Sequence, residues 1–170
     1  AKNTIFADMD TRPFSVNPTA KKIDTALIHI HGGAFIGSTT LSHVTYTCRW
    51  ANAFENVAVF SVDYRLAPQC RFPAAIDDCW QAYVWIVRHS REVLNLDFKR
   101  IVIAGDSAGG SLAYAITVMA IERGFRVPDA LMPCYPTSMQ SFEAFWPSML
   151  AAVDEPILSC GFTILAWKAY

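Results

Sequence analysis

The stretch Arg100–Ser111 constrains the fold more than any other part of the chain, because a strand, a tight turn and a helix start follow one another there without a gap. Ile101, Val102, Ile103 and Ala104 form a continuous apolar run with β-branched residues, which predicts a parallel strand buried on both faces. Gly105, Ser107 and Gly109 then give the pattern G-x-S-x-G, in which the serine occupies a strained strand-to-helix turn with its hydroxyl clear of the sheet. From Ala108 the sequence Ala-Gly-Gly-Ser-Leu-Ala-Tyr-Ala-Ile-Thr reads as a buried helix. Its free N–H groups and positive dipole end would face any negative charge arising beside Ser107. The same residues also suit a plain packing corner with serine as N-cap, so the pattern gains chemical meaning only with a partner elsewhere.

That partner is His31-Gly32-Gly33-Ala34-Phe35, which ends an apolar run, Thr25–His31, upstream. Glycines at the end of a parallel strand leave bare backbone N–H groups at the edge where open α/β sheets bind ligands. An oxyanion hole needs one donor from the residue after the nucleophile and others from such a turn. Here they would be the N–H groups of Ala108, Gly33 and Ala34, with His31, Gly32, Gly105, Asp106 and Gly109 as supporting residues.

Around these two stretches strand and helix alternate. After an irregular lead-in at residues 1–24, the spacing predicts strands at Thr25–His31, Val57–Val62, Arg100–Gly105 and Ala130–Tyr135. Helices are predicted over Leu41–Asn56, from Pro73 to about His89, and over Ser107–Gly124. Residues 25–136 form this core, 137–156 a Pro- and Ser-punctuated connection, and Ile157–Tyr170 a final amphipathic helix. The alternation, without repeats or low-complexity linkers, argues for one α/β layer structure with a mostly parallel sheet and helices on both faces.

A net charge of −1, with no basic run, excludes nucleic acid and anionic membranes as electrostatic partners, so binding must come from a pocket. No segment has the apolar length to span a bilayer and the start lacks a signal-peptide core, which together suggest a cytoplasmic protein. The cysteines Cys48, Cys70, Cys79, Cys134 and Cys160 are odd in number and widely spaced, as reduced core residues would be. With no C-x-x-C or His-rich spacing, neither a metal nor a cofactor is expected. The first residue is Ala and the last segment stops in a helical pattern, as in a piece excised from a longer chain.

His31–Phe35, Asp63-Tyr-Arg-Leu-Ala-Pro68, Phe72-Pro-Ala-Ala75 and Gly105-Asp-Ser-Ala-Gly-Gly110 stand in the order and spacing of the hormone-sensitive lipase family of serine esterases, which the chain resembles from about Ala26 to Tyr170. Val127-Pro-Asp129, Cys134-Tyr-Pro136 and the Ser148–Pro156 segment extend the likeness toward the namesake branch of that family. The resemblance implies the N-terminal part of an α/β-hydrolase fold and hydrolysis of carboxylic esters, acylglycerols or related lipid esters among them. It makes Ser107 a nucleophile that forms an acyl-enzyme, activated by a histidine oriented by an acidic residue. It also gives His31 a loop-supporting role. Asp106 would be a local structural residue, and Asp63 and Arg65 a loop-fixing pair.

Two departures bear on activity. Ala34 stands where the family often has a third glycine, so a methyl borders the hole. More seriously, the triad order on this fold is Ser, then Asp or Glu, then His, yet His29, His31, His43 and His89 all precede Ser107. Asp129 and Asp154 come too early to match the family's acid, and His89 reads as a solvated cation near a helix end. The expectation is therefore a serine esterase or lipase whose acid and histidine come from the remainder of the parent chain, with residues 1–170 inactive alone. The alternative is a non-catalytic small-molecule receptor on the same fold, as the gibberellin receptor is.

Overall fold

Four short apolar runs build one parallel sheet. The structure is a computed structural model that describes residues 22–137, 153, 155, 156 and 158–170. The predicted lead-in therefore lies almost wholly outside the described residues, as does most of the 137–156 connection. In chain order the elements are β1 (Thr25–Ile30), a 3-10 turn (Thr40–His43), α1 (Val44–Ala53), β2 (Val57–Val62), α2 (Ala74–Val93), β3 (Arg100–Asp106), α3 (Ala108–Glu122), β4 (Ala130–Cys134) and α4 (Cys160–Ala169). The sheet order is β2-β1-β3-β4, with every neighbouring pair parallel. Its two central strands are thus the ones that lead into the two glycine-containing turns.

The period of two along each strand sorts side chains onto two faces. Ala26, Ile28 and Ile30 of β1 and Ile101 and Ile103 of β3 share a core with Ala75, Cys79, Tyr83 and Ile86 of α2 and with Leu112, Ala113, Ile116 and Ala120 of α3. On the opposite face His29 meets α1, with the rings of Tyr46 and Trp50 edge-on at 5.3 and 5.8 Å. Helices cover both faces, as the alternation predicts.

The chain departs from the sequence reading at element ends. The helix predicted over Leu41–Asn56 is a 3-10 turn followed by the shorter α1, because the Asp63 carboxylate accepts from the Thr40 N–H at 3.1 Å and tightens the entry. α2 continues past His89 to Val93, where the Leu94 N–H still donates to the Ser90 carbonyl at 3.0 Å and Asn95 turns left-handed at φ 55°. α4 begins at Cys160, with the Ser159 hydroxyl accepting from the Phe162 N–H at 3.2 Å. Ile157, where that helix was expected to start, is outside the described residues. All five cysteines are free, but only Cys79 is buried and Cys48 is exposed, so they are not a set of core residues.

Candidate active site

Ser107 sits between the last residue of β3 and the first of α3 at φ 52°, ψ −120°, a conformation that costs a non-glycine residue on the order of 1–3 kcal/mol. The surroundings hold it there. Its N–H donates to the Cys134 carbonyl at the end of β4 at 2.9 Å, and its carbonyl accepts from the Ser111 N–H at 3.1 Å. Ser111 in turn donates its hydroxyl to the Thr137 carbonyl at 2.8 Å. Ser107 occupies the N-cap position of α3, yet its side chain makes no cap hydrogen bond. A serine retained for capping would spend its hydroxyl there; this one leaves the hydroxyl available at the head of a 15-residue helix.

The turn after β1 lies beside it, because β1 and β3 pair in register up to Ile30 and Gly105. Gly33 adopts φ 120°, and its carbonyl accepts from the N–H groups of Ile36 and Gly37 at 3.1 and 3.0 Å. Ala34, Phe35 and Ser38 are left-handed at φ 55°, 64° and 73°. Among the described residues the N–H groups of Gly33 and Ala34 have no backbone acceptor. Phe35 anchors the strained loop: its carbonyl accepts from the Ala67 N–H at 2.9 Å, and its buried ring stacks on Tyr170 at 4.1 Å.

His31 supports this loop from below. Fully buried, it stacks on Tyr64 at 4.2 Å and donates from Nδ1 to the Gly32 carbonyl at 2.7 Å, while Tyr64 donates its hydroxyl to the His31 carbonyl at 2.8 Å. That leaves Nε2 without a hydrogen-bond partner among the described residues, 3.6 Å from Asp63. Burial pushes the His31 ring below the usual imidazole range, against the opposing pull of the Gly32 carbonyl and of Asp63.

Asp106, half-buried, turns to the α1 face, where sequence reasoning named no partners. His29, His43 and Tyr46 surround its carboxylate. The signal that finds them is parity: His29 alternates with the core residues Ile28 and Ile30, so it must face away from α2 and α3, as Asp106 does beyond Ile103. Burial opposes the Asp106 charge, but the His29 and His43 rings and the Gly32 N–H outweigh it and hold the carboxyl below the usual range. Asp63 and Arg65 do not pair with each other. Arg65 instead makes a bidentate bridge to Asp78 of α2, Nη2 lying 2.8 Å from Oδ1 and Nε 2.8 Å from Oδ2, whereas Asp63 fixes the Thr40 N–H.

None of the four histidines hydrogen-bonds to Ser107 among the described residues. The ring nitrogens of His29 are engaged with Ser61 and Tyr46, and Nδ1 of His43 with the Thr39 carbonyl. His89 is exposed on α2 beside Trp85, in the last turns rather than at the helix end. An apolar cavity of about 330 Å³ opens one helical turn from Ser107, between Phe35, Phe72, Leu112, Ala115 and Tyr170, with Ser111 on its wall.

The model of an alpha/beta hydrolase fold family matches residues 27–170. Hormone-sensitive lipase of Mus musculus is 43% identical over 145 residues, which are 85% of this chain and 19% of that protein. Among solved structures, a bacterial heroin esterase superposes with a TM-score of 0.81 at 33% identity, covering 90% of this chain and 47% of that one. A hyperthermophilic esterase from Pyrobaculum calidifontis gives 0.75 at 30% identity, over 88% and 48%. The chain thus spans about a fifth of the lipase and about half of each esterase.

Proposed function

Because the chain belongs to the hormone-sensitive lipase family of α/β hydrolases, we propose that it carries the nucleophile half of a carboxylic-ester hydrolase. Ser107 attacks the ester carbonyl, and the N–H groups of Ala108, Gly33 and Ala34 receive the oxyanion of the tetrahedral intermediate. Collapse of that intermediate expels the alcohol and leaves an acyl-serine, which water then hydrolyses. A histidine from outside residues 1–170 takes the serine proton and passes it to the leaving alcohol, oriented by an acid from the same region. The domain described here is then the N-terminal part of the hydrolase domain. Its substrates are esters with an apolar part, acylglycerols or related lipid esters among them, that apolar part seated against Phe35, Phe72 and Leu112.

The observation that carries this reading is the left-handed Ser107, which forgoes its capping bond at the head of α3 beside a loop whose Gly33 and Ala34 N–H groups have no backbone acceptor among the described residues. Treating the full-length natural chain with a fluorophosphonate and mapping the adduct tests it. Labelling at Ser107, lost together with turnover of a chromogenic butyrate ester in Ser107→Ala, is the expected result. An adduct on another serine overturns it, and binding of an ester without labelling or turnover points to a receptor instead.

A further inference from the structure

Resting on that reading of Ser107, the structure assigns a positioning role to Asp106: its side chain locks the loop bearing the oxyanion donors Gly33 and Ala34 to the turn bearing Ser107. Asp106 is joined directly to Ser107, so wherever its carboxylate is held, the nucleophile is held too. Oδ1 accepts from the Gly32 N–H at 3.2 Å, across 74 residues of chain. Oδ2 occupies the space beside Gly32: a Cβ built there would stand 2.4 Å from Oδ2 and 2.9 Å from the Asp106 carbonyl. Residue 32 must therefore lack a side chain for the carboxylate to come in, and the two halves of the hole are fitted to each other at this contact.

The same oxygen, Oδ1, is also tied to α1 through one consistent run of hydrogen bonds. Tyr46 donates its hydroxyl to Oδ1 at 3.3 Å and lies 2.8 Å from Nε2 of His29, while Nδ1 of His29 is 3.1 Å from the Ser61 hydroxyl. With Ser61 donating to Nδ1, His29 protonated on Nε2 donates to Tyr46, and Tyr46 is free to donate to Asp106, so both ring nitrogens of His29 are used. Nε2 of His43 stands 3.6 Å from Oδ2 on the other side. The carboxylate therefore cannot swing away from Gly32 without breaking bonds to a second element. Oδ1 is shared by the Gly32 N–H and the Tyr46 hydroxyl while Oδ2 lies against Gly32, so what the carboxylate controls is where the oxyanion donors stand.

The test uses the full-length natural chain with a chromogenic butyrate ester, fluorophosphonate labelling and thermal melting on each variant. Misplacing the donors lowers kcat by about 100-fold in Asp106→Ala, with KM within about threefold of wild type. Asp106→Asn keeps an oxygen for the Gly32 N–H and recovers about tenfold of that loss. Tyr46→Phe gives a smaller loss of kcat in the same direction. A role confined to folding would lower the melting temperature while leaving kcat per labelled molecule unchanged, and that result overturns the assignment, as does an Asp106→Ala variant as active as wild type. Should Asp106→Ala not fold, an Asp106→Asn or Tyr46→Phe protein with unaltered KM and reduced kcat supports it, and wild-type kcat in both overturns it. Absence of labelling at Ser107 in the wild type itself brings down the nucleophile reading and this one with it, whereas a labelled wild type isolates the outcome to Asp106.

Discussion

At the scale of single residues, His31 shows how a motif histidine can serve a loop. Its ring is fully buried between Tyr64 and the Gly32 carbonyl, and desolvation holds its pKa below the usual 6.5. The unfolded chain, with an imidazole near that ordinary value, binds a proton that the folded chain refuses. Stability from this residue is complete above about pH 6.5 and falls as the pH drops toward the depressed folded value. Thermal melting from pH 8 to pH 5 should show the wild-type chain losing more stability than His31→Gln, which can still donate to Gly32 but does not titrate. Equal slopes would mean that the buried ring has no cost of protonation. Asp24, Asp78, Asp106 and Asp129, all held below the usual carboxylate value of 3.8, lose their contribution only at more acid pH, outside this window.

At the scale of elements, the strands were the most legible part of the sequence and the side-chain ties between elements the least. β2 coincides with the predicted Val57–Val62, because a short β-branched run between polar turns has few alternatives. The entry to α1 is not legible from its own residues, because what shapes it, the Asp63 carboxylate on the Thr40 N–H, is 23 residues away in the chain. The Arg65–Asp78 bridge is hidden for the same reason: Asp63 is nearer in sequence, but Asp78 on the first turns of α2 presents both oxygens to the guanidinium. G-x-S-x-G itself announced the close packing of α3 on the sheet. A Cβ built on Gly109 would stand 2.1 Å from the Ile30 carbonyl and 2.5 Å from that of His31, both backbone atoms that cannot yield cheaply. Gly109→Ala should therefore push α3 away from β1 and destabilise the chain by about 1–3 kcal/mol, despite the better helix propensity of alanine. Urea unfolding checks this, and a variant as stable as wild type would show that α3 can shift freely.

At the scale of the whole molecule, the exposed surface and the order of residues bear on what this chain does by itself. β4 pairs only with β3 among the described residues, and beyond it Met132 and Tyr135 are 44% and 76% exposed. These two residues border a cleft of about 380 Å³ with Trp50, beside the Asp106 cluster. Tyr114, Val118 and Ile121 add exposed apolar surface along α3. An unpaired parallel edge with apolar neighbours favours association, since parallel strands are ordinarily covered on both sides. On the proposed reading of Ser107, catalysis faces a separate obstacle: each of the four histidines precedes it in sequence and none hydrogen-bonds to it among the described residues. Loss of the histidine alone costs a serine hydrolase about 10⁶ in kcat, the remainder coming from the oxyanion hole and binding. The purified 170-residue chain should accordingly self-associate in light scattering and hydrolyse a chromogenic butyrate ester no faster than its Ser107→Ala variant. Serine-dependent turnover within about tenfold of an ordinary enzyme's 10 s⁻¹ would require one of the upstream histidines to reach Ser107. In that event the proposal that the histidine comes from outside residues 1–170 would be wrong.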